Sequence, residues 1–346
     1  MPAHIKAHSI RHEFNRIGTL DEGDGNGNGA LNGGIYIVKS ALPPSNLSHV
    51  APLTCPLSTG RKDKMICVEK RFHHDDVLRI GLPEMRQLRQ FDHANVCKYI
   101  DAFVKQGKRR TDADQGSLYM ELCDLGSVGD MIERLTDKAG SQTHLPEAFV
   151  WHMLNSLMQG LTYIHQGTPK GTYEAISDWQ TVLHCDIKPH NIFLKTPRQG
   201  GLYPTIVIGD FGVCQKQSDP HWDRARRIRG TIAWQPPELP LHAMDGKGDV
   251  YSAAAVVLCL VRLESPLRKC PRHVKIRDWE RLPEARYPRY LGSRYSKILN
   301  GVHAQGMSTS YEQRPTALQL LKHLMKQFDE VELEFHKLPL WVLGKE

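Results

Sequence analysis

Apolar and polar positions follow two different rhythms along this chain. An apolar segment opens residues 14–39, a glycine-rich stretch follows, and the alternating run Ile35-Tyr36-Ile37-Val38 closes them. That pattern predicts strand, loop and strand. Residues 40–61 carry prolines at 43, 44, 52 and 56 among several serines, and read as an irregular linker. A short strand from Met65 to Val68 leads to Lys70. Residues 83–91 place Met85, Leu88 and Phe91 at helical spacing. Pro83 suits the first helical position, because it has no N–H to donate. Two further strands are expected over Val96 to Val104 and Leu118 to Leu122.

After Cys123 the texture changes. Residues 146–165 form an amphipathic helix with Phe149, Met153, Leu157 and Leu161 on one face. A polar loop covers 167–181. Short strands follow at Val182–Leu183 and Ile192–Leu194, and a Gly/Pro-rich hairpin over 196–204 leads into Ile206-Val207-Ile208. The nearly all-apolar stretch 249–263 predicts a buried helix, and Ala317–Phe328 is the last clear one. Internal repeats and coiled-coil heptads are absent from the sequence. The order predicts an α+β fold of two lobes: a β-rich amino-terminal lobe over 14–122 and a mainly helical carboxy-terminal lobe over 123–330. The joint falls near 121–125, and 1–13 and 331–346 are short tails.

Composition narrows the function only a little. The 346 residues are 40% hydrophobic and 24% charged, ordinary for a globular chain with a sizeable core. The net charge of +7 favours anionic ligands in general without choosing among them. The richest basic patch, Arg224, Arg226, Arg227 and Arg229, is short and lacks interleaved aromatics, so no nucleic-acid partner is expected. Of the eight cysteines, none forms a C-x-x-C pair, which speaks against a zinc knuckle. The longest apolar run, Ala253 to Val261, is far short of the ~20 residues of a membrane span. The start, Met-Pro-Ala-His-Ile-Lys, has no secretory character. A reducing compartment is expected, most simply the cytosol, with the nucleus left open.

Two motifs carry chemistry. The first is His184-Cys185-Asp186-Ile187-Lys188-Pro189-His190-Asn191, followed by Ile192-Phe193-Leu194. A carboxylate and an amide five residues apart, in a short loop between strands, can face one site. Asp186 can accept the proton of a substrate hydroxyl. The amide oxygen of Asn191 can ligate Mg²⁺, a hard cation that prefers oxygen. Lys188 can contact a moving phosphoryl group. The second motif is Ile208-Gly209-Asp210-Phe211-Gly212, in which an aspartate leaves a strand end beside a glycine and can chelate Mg²⁺ bridging nucleotide phosphates.

Together these residues resemble the eukaryotic protein kinases over about Ile17 to Phe328, most of the chain. The flavour of the catalytic loop and of the 84–99 region is similar to NIMA-related and wider mitotic-type serine/threonine kinases. The resemblance implies a two-lobed protein kinase-like fold, ATP and Mg²⁺ as cofactors, and protein substrates for a monomeric catalytic domain. Gly23, Gly25 and Gly33 look like a glycine-rich loop stretched by an Asn/Gly insertion. Read alone, the same segment is a flexible hairpin. Lys70, in Cys67-Val68-Glu69-Lys70, would contact the α- and β-phosphates and pair with Glu84. Pro83 would place Glu84 near the amino end of a helix that begins late or kinks, where the dipole favours a carboxylate. Leu118 to Cys123 looks like the hinge strand. Met120 would be the gatekeeper, and the Glu121 carbonyl and Cys123 N–H would bind the adenine edge. Ile35, Val68 and Phe193 would sandwich the adenine ring, or simply belong to the core.

Gly230 to Glu238, in the sequence Gly-Thr-Ile-Ala-Trp-Gln-Pro-Pro-Glu, looks like the end of an activation segment. The resemblance implies that Glu238 pairs with Arg314, and that Thr231 hydrogen-bonds Asp186 and Lys188. Asp249 would cap the buried helix and hold the catalytic-loop backbone. Lys188-Pro189 and Thr231 imply serine/threonine rather than tyrosine acceptors. Cys185 stands where the family usually has arginine, so activity without activation-loop phosphorylation is expected. His190, where arginine-preferring kinases often carry glutamate, implies acceptors in non-basic sequences. A nucleotide-binding pseudokinase scaffold and a small-molecule kinase remain as alternatives.

Overall fold

The computed structural model describes residues 5–23, 32–41, 65–107, 113–138, 144–169, 172, 174–197, 200–218, 230–239, 244–264, 275 and 289–345. The chain divides into two compact units. The first is Met1–Asp92 with Cys97–Leu122, and the second is His93–Val96 with Cys123–Glu346.

The first unit is built on a five-stranded antiparallel sheet of β1 (Phe14–Asp21), β2 (Asn32–Ser40), β3 (Ile66–Phe72), β4 (Tyr99–Lys105) and β5 (Gln115–Glu121). The strand order is β1-β2-β3-β5-β4. Alternation sorts the side chains onto two faces. On one face Phe14, Tyr36, Val38, Cys67 and Tyr119 meet Ile10, Met65, Ile100 and Phe103 in a buried cluster. Phe14 and Tyr119 stack with ring centroids 4.3 Å apart. The expected amino-terminal tail is thus part of this core. Lys6 bridges to Phe103 and its ammonium lies 2.7 Å from Asp101.

The helix after β3 starts where Pro83 predicts, and further helical turns precede it. The helical path starts at a 3-10 turn (His74–Asp76), continues through a π-helical turn (Val77–Gly81), and becomes the α-helix α1 over Leu82–Leu88. Pro83 is accommodated at the start of α1. Glu84 lies in the first turn of α1, near its amino end as the position of Pro83 predicts, and is buried, at 1% exposure.

The second unit is mainly helical. Among the described residues its α-helices are α2 (Val128–Asp137), α3 (Glu147–Gln166), α4 (Gly246–Arg262), α5 (Lys297–Gly306) and α6 (Ala317–Phe328). Phe149, Met153, Leu157 and Leu161 of α3 are wholly buried, as their spacing predicts. α4 is buried along almost its whole length. Asp245, not Asp249, caps it, accepting from the Lys247 and Gly248 N–H groups. The short strands pair as two antiparallel ribbons: β7 (Ile192–Lys195) with β8 (Thr205–Ile208), and β6 (Val182–Leu183) with β9 (Gln215–Lys216). Val96 adds a bridge to Ile208, so it belongs here and not to β4. The expected carboxy-terminal tail also packs, with Val342 buried and its carbonyl accepting from Arg134 Nε at 3.0 Å. Among the described residues no helix is long and apolar enough to cross a membrane.

Candidate active site

The loop between β6 and β7 carries the first motif, and Asp186 is its centre. Its carboxylate is 9% exposed and held on three sides. Lys188 Nζ lies 2.9 Å from Oδ2, Asn191 Nδ2 donates to the same oxygen at 3.1 Å, and the Thr231 backbone N–H donates to Oδ1 at 2.8 Å. Lys188 Nζ also donates to Thr231 Oγ1 at 3.1 Å. The expected contacts of Thr231 are therefore present, divided between its amide (to Asp186) and its hydroxyl (to Lys188). Gly230 makes this approach possible. Its φ is +77°, and a Cβ there would collide with the Cys185 carbonyl and crowd Asp186.

The amide nitrogen of Asn191 is committed to Asp186, bonding its backbone oxygen at 2.9 Å as well as its carboxylate. The amide oxygen is thus the atom that Asn191 can offer a cation. Asp210 lies two residues past the end of β8, after Gly209, with a left-handed φ of 62°. Its neighbour Gly209 is tied to the same loop twice. The Gly209 N–H donates to the Asn191 carbonyl at 2.9 Å, and the Gly209 carbonyl lies 2.9 Å from His184 Nε2. An amide oxygen and a carboxylate are a hard donor set, suited to Mg²⁺.

The backbone of this loop is anchored from beneath. Asp249, in the first turn of α4 and wholly buried, accepts from the His184 N–H at 2.8 Å and the Cys185 N–H at 2.9 Å. His165 Nε2 lies 2.9 Å from the same carboxylate. The expected grip of Asp249 on the loop is present, whereas its expected capping role belongs to Asp245. The roles of His165 and of the tether made by His184 are not legible in the sequence. His165 sits in an ordinary helical pattern, and nothing in that pattern marks its partner. Cys185 is 4% exposed with φ 66°, its thiol near the Leu183 carbonyl. His190 Nε2 lies 3.9 Å from Glu133 Oε1, both exposed, so the position expected to disfavour basic substrates has an acid beside it.

In the first unit, Lys70 Nζ meets Glu84 through both carboxylate oxygens, at 2.9 and 3.0 Å. The register places Ile35 opposite Lys70, and Val68 opposite both Ile37 and Met120. Ile35, Val68, Lys70 and Met120 therefore share the sheet face opposite the buried cluster. The Glu121 N–H is committed to the Lys98 carbonyl at 3.0 Å, and its side chain accepts from the Lys98 N–H. Phe193 and Cys123 belong to the second unit, Phe193 on β7 opposite Val207.

The glycine loop is corrected in part. Gly23 has φ 70°, and its N–H bonds Asp21 Oδ1. Gly33 is not a loop residue but lies inside β2. The glycine with special backbone there is Gly34, at φ 111° in the register shift between Asn32 and Ile35, where a side chain would run into the Tyr36 ring. Gly25 lies outside the described residues, as do Arg224, Arg226, Arg227 and Arg229.

Residues 59–325 match the family described as protein kinase domain. The chain belongs to this family. The kinase is similar to Misshapen-like kinase 1 of Rattus norvegicus, 26% identical over 246 residues that cover 69% of this chain and 16% of that protein. Serine/threonine-protein kinase mig-15 of Caenorhabditis elegans is 27% identical over 239 residues, or 67% and 19% of the two chains. Serine/threonine-protein kinase pakG of Dictyostelium discoideum is 27% identical over 289 residues, or 80% and 22%. The chain spans under a quarter of the length of these relatives. The expected NIMA-related affinity gains no support from them.

Proposed function

We propose that this protein kinase transfers the γ-phosphate of ATP to serine or threonine hydroxyls of protein substrates, with Mg²⁺ as cofactor. The observation that carries the reading is the convergence of Lys188, Asn191 and Thr231 on the Asp186 carboxylate, with Lys188 also bonded to Thr231. In phosphoryl transfer the protein contributes positioning and charge stabilisation more than covalent chemistry. Asp186 orients the acceptor hydroxyl and takes its proton as the hydroxyl oxygen bonds to the γ-phosphorus and the bond from that phosphorus to the β–γ bridging oxygen breaks, with ADP leaving. Lys188 moves from the carboxylate toward the transferring phosphoryl oxygens and offsets their charge. Asn191 and Asp210 would hold Mg²⁺, which when bound neutralises phosphate charge. Lys70, kept in place by Glu84, binds the α- and β-phosphates. In the first unit, Ile35, Val68 and Met120 offer an apolar face suited to an adenine ring.

The serine/threonine reading is supported by Lys188-Pro189, by Thr231 between Asp186 and Lys188, and by the names of mig-15 and pakG. Incubation with radiolabelled ATP, Mg²⁺ and a generic protein substrate, followed by phosphoamino-acid analysis, tests it. Label on serine and threonine is expected. ATP binding without transfer would leave a pseudokinase scaffold as the better account, and label on tyrosine alone would refute the acceptor assignment.

A further inference from the structure

The turn between β3 and the helical run of the first unit carries the sequence His73-His74-Asp75-Asp76. His73 is extended, with φ −60° and ψ 142°, and the 3-10 turn begins at the next residue. This bend brings the two imidazole rings to 4.1 Å between centroids. His74 Nε2 lies 3.3 Å from Asp75 Oδ1, and His73 Nδ1 lies 3.8 Å from Asp75 Oδ2. One ligand atom from each of the three residues lies within 4.8 Å of the others. Asp76 is not part of the group, because its carboxylate is engaged by Arg79 Nη2 at 2.7 Å.

We infer that His73, His74 and Asp75 form a binding site for a zinc-class divalent cation, separate from the Mg²⁺ proposed for Asn191 and Asp210. Two imidazole nitrogens and a carboxylate are a donor set that zinc takes readily and that magnesium, which prefers oxygen throughout, does not. A tetrahedral zinc with bonds of about 2.0–2.2 Å sets its ligand atoms about 3.3–3.5 Å apart. The His74–Asp75 edge already has that length. The longer edges close by rotation of side chains that are 39%, 50% and 77% exposed at His73, His74 and Asp75. That exposure also leaves a fourth position open to water.

The place of the site gives it a consequence. Phe72, next to His73, has its ring 5.6 Å from the Lys70 ammonium. The same ring packs so closely on Gly81, further along the helical run, that a Cβ there would come within 2.7 Å of it. An ion fixing residues 73–75 therefore stiffens the connection between the strand bearing Lys70 and the helical run bearing Glu84. A cation that binds only the folded turn stabilises the fold by mass action.

The test uses the full chain stripped with a chelator, and compares it with His73→Ala/His74→Ala and, separately, Asp75→Asn. Both exposed histidines can be removed without opening the core, and matching metal-free melting curves verify this. Calorimetric titration with Zn²⁺ is expected to give a single site in the parent, weakened about tenfold or more in the double variant and less in Asp75→Asn. Zn²⁺ should raise the melting temperature of the parent but not of the double variant, and excess Mg²⁺ should leave both results unchanged. Co²⁺ in place of zinc should give d–d absorption without a thiolate charge-transfer band. Equal Zn²⁺ affinity in parent and double variant, a thiolate band, or displacement of zinc by Mg²⁺ would overturn the inference. Weak binding of several equivalents, alike in all three proteins, would mean an adventitious ion only. None of these outcomes bears on phosphoryl transfer, which is measured separately.

Discussion

Arg314 grips Glu238 with two guanidinium nitrogens, Nη1 at 2.6 Å from Oε1 and Nη2 at 2.9 Å from Oε2. The arginine is 1% exposed and also donates to the carbonyls of Ser308 and Lys247. The pair joins the end of the segment bearing Thr231 to the helical part of its unit. Removing the cation leaves a largely buried carboxylate uncompensated. Arg314→Ala should lower unfolding stability by about 3–5 kcal/mol in urea titration. Arg314→Lys should recover only part of this, since an ammonium cannot reproduce the two-pronged contact. A loss under about 1 kcal/mol would show that the pair contributes no more than a surface ion pair.

Glu69 makes the first unit sensitive to acid. This carboxylate points into the apolar face of the sheet, 2% exposed. Burial alone would raise its pKa. Hydrogen bonds from Arg71 and Ser117, with the charges of Arg71 and Arg11, outweigh burial and bring it below the ordinary 4.5. The unfolded chain therefore takes up this proton first as pH falls. The stabilisation is complete above about 4.5 and is lost as pH drops from there through the folded value. Unfolding free energy measured between neutral pH and strong acid should fall across that window, and Glu69→Gln should flatten this part of the curve.

Lys70 and Glu84 give a prediction in which activity and stability separate. Lys70→Met should reduce kcat/KM for ATP by about 10²–10³ through loss of phosphate charge stabilisation, as measured by steady-state kinetics. Glu84→Gln should cost less, since Lys70 keeps its charge and loses only its guide. Equal kinetics for Lys70→Met and the parent would remove Lys70 from the nucleotide site.

Cys185 bears on control. Its side chain is buried and uncharged, so the loop offers no cation at this position to a phosphorylated activation segment. Phosphatase treatment should leave the initial rate unchanged within the error of the assay. Silencing by phosphatase would contradict this account of activation.

Much of this arrangement is legible in the amino-acid sequence, because the chemistry lies in contiguous motifs. Asp186, Lys188 and Asn191 fall within six residues, and their meeting follows from one loop. Ile35, Val68, Lys70 and Met120 share a face because strand periodicity is fixed at two. The remainder depends on tertiary context. Pro83 marks the start of α1, but the 3-10 and π-helical turns that carry the helical path back to His74 have no such signal. Asp249 has the right residue type for a cap, yet Asp245 lies one turn earlier and takes that role. The Ser127–Asp130 capping box of α2 is a local signal, but so short a spacing recurs by chance and does not by itself announce a helix. The packing of Ile10 and Val342 is not legible: Ile10 stands between polar neighbours, Val342 is one of several apolar residues over 338–343 of which Leu340 is exposed, and the burial of each depends on distant partners.

The central claim is that the Asp186 carboxylate performs the proton and positioning work of phosphoryl transfer. Single-turnover transfer from radiolabelled ATP to a protein substrate by Asp186→Asn, alongside a nucleotide-binding titration of the same variant, tests it most directly. The account predicts a transfer rate lower by about 10²–10⁴ with ATP affinity retained. A variant that transfers phosphate at close to the parental rate would contradict it.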